Sequence, residues 1–186
     1  DHAGILVVGD HGEGYLTIDA ESEVNSASAV IGRNLNSAGV ATVEGTWVNT
    51  GYITVGQSGL GEMRVLNGQV ESQYGIIADN AVANGSSVSV VGDTASWNAN
   101  DALYVGQGGT GRLYIYDGGS VTADEVEIGE GSGTEGTVLV AGTDSLLDVG
   151  LVLSVGVDTV GGLRVASGGR VTTDRARVGW DVDGHG

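Results

Sequence analysis

The stretch LYVGQGGTGRLYIYDGG, residues 103–119, combines alternating apolar segments with glycine-rich segments. Its hexapeptide GQGGTG, residues 106–111, formally matches the G-x-G-x-x-G motif that binds a dinucleotide pyrophosphate between a strand and a helix. The residues after Gly111, RLYIY, alternate in polarity and therefore predict a second strand instead of that helix. Similar glycine stretches recur at 9–14 and 56–61, so we interpret them as corners between strands, where positive φ and close backbone approach favour glycine.

The same pattern is repeated along the whole chain. Four long repeats begin at residues 6, 53, 103 and 153, and related second halves begin at 29, 76 and 126. The structural unit is therefore about half of the long period, and each unit predicts three short strands separated by polar, glycine-rich corners. Residues 1–186 predict a single all-β domain: a right-handed single-stranded parallel β-helix (β-solenoid) of about eight coils, with three short strands per coil. We expect this domain to be a fragment of a longer protein.

Equivalent residues of successive units are expected to stack in columns. Alternating aliphatic residues would point inward and form the shared core, namely Leu6, Val8, Leu16, Ile18, Ile53, Val55, Met63, Val65, Leu103, Val105, Leu113, Ile115, Leu153, Val155, Leu163 and Val165. Glycines that follow the first strand of a unit would form its corner, namely Gly9, Gly32, Gly56, Gly106, Gly129, Gly156 and Gly179. Coils ~4.8 Å apart would give a rod roughly 35–40 Å long.

Composition limits the kinds of partner. The chain has 24 acidic and 7 basic residues and a formal net charge of −17, so it would repel nucleic acids and anionic membranes. It contains no cysteine, which excludes disulfides and thiol chemistry. Because it lacks an apolar run of about 18 residues, no transmembrane segment is predicted in this chain. The acidic charge suits a self-repelling extracellular surface, and the absence of cysteine is common in secreted bacterial chains.

The repeats resemble those of bacterial autotransporter (type V secretion) passenger regions and of related PEP-CTERM-associated surface proteins. The residues that carry the resemblance are the LxVGxxGxGxLxIxxGGxV pattern at 103–121, VVGDTASW at 90–97 and IGEGSGTEGTVLVAGTDSLL at 128–147. The resemblance implies a right-handed β-helical stalk, exported and displayed on a bacterial surface, often in adhesins. The chain departs from the pattern at Ala78, where glycine is expected, and at 19–23, where DAESE replaces a Gly-Gly corner.

Paired carboxylates are the candidate catalytic groups, because β-helices can host polysaccharide hydrolases and lyases. Glu125 and Glu127 would point the same way on one strand, with Asp124 and Glu130 nearby. A glycosidase needs two carboxylates ~5–10 Å apart, one of them with a pKa raised by burial. We interpret these residues as the outer face of a very acidic protein and predict no catalytic residue. The basic cluster near the C-terminal end is interpreted as offsetting local negative charge; it comprises Arg170, Arg175 and Arg177.

Calcium is the ion that the Asp- and Gly-rich corners would suit best. However, the repeat-in-toxin pattern is absent, because Arg112 stands where its aspartate should be, and DVDG at 181–184 begins like an EF-hand loop but is not followed by one. The three histidines lack the spacing of a zinc site; they are His2, His11 and His185. No cofactor and no metal site is therefore predicted.

Outward aromatic rings are the candidate ligand contacts, because such rings stack on sugars. The candidates are Tyr104, Tyr114, Tyr116 and Trp97, and stacking between coils would explain them equally well.

The expected function is a non-catalytic stalk or adhesin segment. Its partners would be a host or matrix surface component or a glycan. A polysaccharide hydrolase or lyase is the first alternative. A self-assembling extracellular filament, joined end to end through unpaired strand edges, is the second.

Overall fold

The computed structural model describes residues 4–131, 134–157 and 159–179, and these residues contain strands but no helix. In chain order the strands are β1 (Ile5–Val8), β2 (Glu13–Ile18), β3 (Glu23–Ser26), β4 (Ser28–Ile31), β5 (Ala38–Val43), β6 (Thr46–Asn49), β7 (Tyr52–Val55), β8 (Leu60–Leu66), β9 (Gln69–Ile77), β10 (Ser86–Val91), β11 (Ser96–Val105), β12 (Thr110–Tyr116), β13 (Ser120–Ile128), β14 (Glu135–Ala141), β15 (Leu146–Val155), β16 (Val160–Ala166) and β17 (Arg170–Val178). Alternating β-branched and polar residues favour these strands, and glycine-rich segments end them.

The strands form two parallel sheets. Sheet I has the order β1-β4-β7-β9-β11-β13-β15-β17, with β3 and β6 pairing beside it, and sheet II has the order β2-β5-β8-β10-β12-β14-β16. Because the chain passes from one sheet to the other and back in each turn, the seven strands of sheet II mark about seven turns. The predicted parallel β-solenoid is therefore confirmed. The eighth predicted unit begins within β17 and continues past the described residues.

The number of strands per turn differs from the prediction after the second turn. In the first turns the third strand of one unit and the first strand of the next are separate, as β3 with β4 and β6 with β7. From β9 onward the two are joined into one longer strand with an irregular register at its centre. There, two residues of β11 or of β15 lie opposite one residue of the neighbouring strands, as in a β-bulge, and the extra residue bends the strand without ending it.

The inward residues form a continuous core between the two sheets. Twelve of the sixteen predicted core residues are buried, and Leu6, Leu16 and Leu163 are partly buried against the same core. Val165 is 46% exposed. It lies on β16, at the edge of sheet II, where no described strand covers it. Burial is therefore incomplete at the two end turns because each has a neighbouring turn on one side only.

One inward column alternates between large and small side chains: Val24, Trp47, Val70, Trp97, Val121, Leu147 and Val171. Each large member lies six positions before the residue of the next inward column, as Trp97 before Leu103. Each small member lies five positions before that column, as Val121 before Val126. We call the turns with the large residue wide turns and the others narrow turns; one of each makes up the long sequence repeat.

The seven predicted corner glycines all have positive φ, between +64° and +81°. At Gly32 a Cβ atom would lie 2.2 Å from the carbonyl oxygen of Leu60, so the backbone of the next turn excludes a side chain there. The two departures from the repeat pattern adopt the same left-handed conformation without glycine, with φ of 60° at Ala78 and 66° at Glu21.

Candidate functional site

The GQGGTG segment at 106–111 connects β11 to β12, so a strand follows its glycines. A Cβ at Gly106 would lie 2.6 Å from the carbonyl oxygen of Glu135 in the next turn. This glycine therefore allows two turns to pack closely, and no helix N-terminus faces the segment among the described residues.

A concavity lies on the outer face of sheet I, where the long strands bend. It is an open depression of about 280 Å³ between neighbouring turns. The residues that line it come from β9, β11, β13 and β15, and they are Tyr74, Asp101, Ala102, Tyr104, Asp124, Glu125 and Leu151. Asp101 and Leu151 belong to the doubled positions of the wide turns, so the bulges that bend the strands also place side chains around the depression.

The strand register explains the shape of this depression. Tyr74, Ala102 and Glu125 occupy one outward position on three successive strands. Ala102 is small and only 6% exposed, and it points away from the buried Leu103, so it forms the floor. The side chains of Tyr74 and Glu125, on the strands on either side of Ala102, form the walls. The backbones of these two outer strands are about 10 Å apart, because neighbouring parallel strands are ~4.8 Å apart. Tyr104 lies two residues further along β11 and closes the depression in the strand direction.

The depression is strongly acidic. The Tyr74 hydroxyl donates a hydrogen bond to Asp101, and this bond raises the pKa of Tyr74. Burial raises the pKa of Tyr104, and nearby carboxylates raise it further; these are Glu127, Glu130 and Glu125. The charges of the carboxylates contribute less to these pKa shifts than the hydrogen bond does at Tyr74 and burial does at Tyr104, and they indicate a negative potential around the rings.

The predicted carboxylates lie where the sequence placed them. Glu125 and Glu127 both point outward from β13, on either side of the buried Val126. Glu130 follows the strand and accepts a hydrogen bond of 3.2 Å from the Gln107 side chain. Of this set, Glu125 lines the depression together with Asp124.

The predicted arginine cluster lies on β17. Arg175 shares an outward column with Glu125 but is two strands away from it, across Val152. None of the three arginines lines the depression.

The structure contradicts the prediction that Trp97 contacts a ligand. Trp97 is fully buried in the inward column, and its indole Nε1 donates a hydrogen bond of 3.1 Å to Ser72 Oγ. Trp47 is buried in the same way and donates to Ser26 Oγ at 3.4 Å. Both indoles are core side chains whose polar group has a partner, so neither can stack on a sugar.

The three predicted tyrosines do not share a surface. Tyr114 and Tyr116 lie on β12 in sheet II, with ring centroids 5.9 Å apart and an angle of 10° between the ring planes. Tyr104 lies on β11 in sheet I and faces the acidic depression instead. The sequence analysis missed its partners Tyr74, Asp101 and Leu151. For Asp101 and Leu151 the available signal was the extra residue in each wide turn.

Metal ligands do not cluster in the described part of the chain: no three His, Asp or Glu side chains there are placed to hold an ion. His11 is exposed beside Asp10, at 3.1 Å. His2, His185 and the DVDG segment at 181–184 lie outside the described residues. The described residues also include no helix long and apolar enough to cross a membrane.

Comparison with known proteins gives no relative: no protein family model, no curated protein and no solved structure matches the chain.

Proposed function

We propose that this chain is a non-catalytic stalk or adhesin segment of a bacterial surface protein similar to autotransporter passengers. The observation that carries the proposal is the parallel register, which continues through every turn of both sheets. Each turn adds ~4.8 Å, so seven turns extend for roughly 30 Å along one axis. Continuous hydrogen bonding along that axis and a shared core suit a stiff spacer that holds a binding surface away from its anchor.

The surface supports an extracellular, adhesive role. The net charge of −17 keeps copies of the chain apart. The acidic depression on sheet I gives this surface a concave feature that could contact a partner. Adhesion by such a surface would use shallow contacts along the side of the solenoid instead of a deep cleft.

A binding assay combined with a turnover assay tests this proposal. The chain would be applied to arrays of glycans and of host matrix proteins, with and without a calcium chelator. In parallel it would be incubated with a panel of neutral and acidic polysaccharides, with reducing ends and unsaturated products measured. We expect capture by at least one array component and no polysaccharide cleavage. Cleavage above the level of a heat-denatured sample would overturn the proposal.

The carboxylates in the depression favour a second candidate, a polysaccharide hydrolase. Asp124 and Glu125 lie together in a concave site, as a glycosidase requires. If cleavage is found and Glu125→Gln abolishes it, this second function replaces the first.

For the filament alternative, light scattering over a hundredfold range of protein concentration would show mass increasing with concentration, whereas the stalk predicts a constant mass.

A further inference from the structure

We infer that the depression on sheet I binds a lysine side chain of a partner protein. This inference rests on the proposed adhesive function and names the chemistry of its contact. It follows from the size of the depression, the hydrogen-bonding character of its lining and the sign of its charge.

The size of the depression suits a single side chain. Its volume of about 280 Å³ is slightly below the range of roughly 300–1,000 Å³ that is usual for sites of drug-sized ligands. The buried floor at Ala102 and the apolar surfaces of Leu151 and of the two tyrosine rings provide a lining for an alkyl chain. A lysine packs its four methylenes on such surfaces and keeps its charge at the polar edge.

The polar groups of the lining are almost entirely acceptors. Carboxylates of Asp101, Asp124 and Glu125 accept hydrogen bonds, and the tyrosine hydroxyls are the only side-chain donors among the lining residues. The hydroxyl of Tyr74 already donates to Asp101. A sugar needs both donors and acceptors, because each of its hydroxyls does both, whereas an ammonium group offers three donors and needs acceptors only.

Charge favours the same ligand. None of the three lining carboxylates forms an ion pair with a described residue, and Glu127 and Glu130 add to the negative potential at Tyr104. A cation would therefore be attracted by the carboxylates and by the faces of the aromatic rings. An acidic glycan would be repelled.

The test is a titration of the 186-residue chain with a single-lysine probe. The probe is the capped pentapeptide Gly-Gly-Lys-Gly-Gly, and its twin carries an acetyl group on the lysine Nε. Binding would be followed by the NMR shifts of backbone amides. We expect saturable shifts centred on Ala102, Tyr104 and Glu125, and affinity about tenfold weaker for the acetylated twin, since it loses the charged hydrogen bonds. Equal affinity for the two peptides, or shifts elsewhere, would overturn the inference.

Two variants separate this site from general attraction to an acidic protein. Ala102→Leu fills the floor without changing the charge and should abolish saturable binding. Glu125→Gln should weaken binding by about tenfold. The matched control is Glu44→Gln, which removes the same charge from an exposed position outside the depression and should leave the affinity within a factor of two. Thermal unfolding of each variant establishes that it is folded, and unchanged binding by folded Ala102→Leu would overturn the inference.

Sugar probes form the last arm of the experiment. A glucosamine tetrasaccharide with free amines and its N-acetylated counterpart would be titrated in the same way. If either binds more tightly than the lysine peptide and Ala102→Leu abolishes that binding, the ligand is a glycan and the lysine inference fails. The adhesive function would still stand in that case, whereas cleavage of either oligosaccharide would overturn the proposed function itself.

Discussion

The wide turns around Trp97 and Leu147 have the same backbone but different cores. β11 and β15 are each ten residues long and carry the bulge at the same place. Below Trp97, the preceding turn offers Ser72 and Gly75, whereas below Leu147 the residues at the same two positions are Ala123 and Val126. A larger side chain with an N–H group is thus accompanied by a hydroxyl that accepts from it and by a glycine that leaves room for its ring.

The comparison shows that side chains in the solenoid core vary in matched sets. A Cβ at Gly75 would lie 2.5 Å from Cζ2 of Trp97 and 2.7 Å from Cδ1 of Leu103, so this position has no space for a methyl group. Where leucine replaces the indole, the same position holds a valine. Core volume is conserved across neighbouring turns although the individual residues differ.

The largest effect is expected from Trp97→Leu on its own. It removes most of an indole from a fully buried site and leaves the Ser72 hydroxyl without its donor. We expect a loss of about 3 kcal/mol in the free energy of unfolding, measured by urea denaturation. Leu147→Val is the control, with an expected loss of about 1 kcal/mol. Similar losses for the two variants would contradict the greater contribution assigned to the indole.

Gly75→Ala should destabilise the chain by about 2 kcal/mol, because the added methyl group overlaps the rigid ring of Trp97. In the Trp97→Leu background the same change should cost nothing or should stabilise. A double-mutant cycle on urea midpoints measures this coupling. Additive effects would mean that the glycine serves the backbone and not the indole.

Ser72→Ala should cost about 1–2 kcal/mol, because it leaves the buried indole N–H without an acceptor. The same variant should be nearly neutral once Trp97 is leucine. Ser87→Ala, on the outward side of β10, is the control and should change stability by less than about 0.5 kcal/mol. An equal loss for both serines would refute the assigned hydrogen bond.

The smallest effect is expected from the complete exchange. The triple variant Ser72→Ala, Gly75→Val and Trp97→Leu gives this turn the residues of the Leu147 turn. Its unfolding free energy should lie within about 1 kcal/mol of the parent chain, although Trp97→Leu alone costs more. Thermal and urea unfolding check this expectation, and a loss equal to the sum of the single effects would show that the two regions are not interchangeable.

Much of this fold could be predicted from the sequence because period-2 alternation and repetition report directly on parallel stacking. The position of Trp97 was also predictable, since it stands in its unit where Val121 stands in the next, at an inward position. Residue type alone predicts a ligand contact for this ring, whereas its column predicts burial. The repeat alignment is the stronger physical argument, because a side chain at an inward position must be buried whatever its chemistry.

The bend in sheet I and the depression on it were harder to predict. No glycine marks the bend in β11, where Asn100 and Asp101 form the doubled position, so the usual sign of a corner is absent. The sequence pattern predicts that Tyr104 and Glu125 point outward. Their contact with Tyr74 and Leu151 depends on the register between strands, which changes by one residue at each bulge. The remaining sequence signal is the spacing between the column of Trp97 and the next inward column, which alternates between six positions in wide turns and five in narrow turns.

That alternation determines how such a chain can change in length. Deleting or duplicating one turn would place two wide turns or two narrow turns next to each other. Two bulges would then be adjacent, or two large or two small side chains would be neighbours in the column of Trp97. Removing or adding a pair keeps wide and narrow turns alternating, so the fold has a natural increment of about fifty residues, or ~10 Å of axial rise. Gene duplication in these steps would lengthen the solenoid without placing bulge against bulge, provided that a large core residue and the small residue below it, such as Trp97 and Gly75, are copied together.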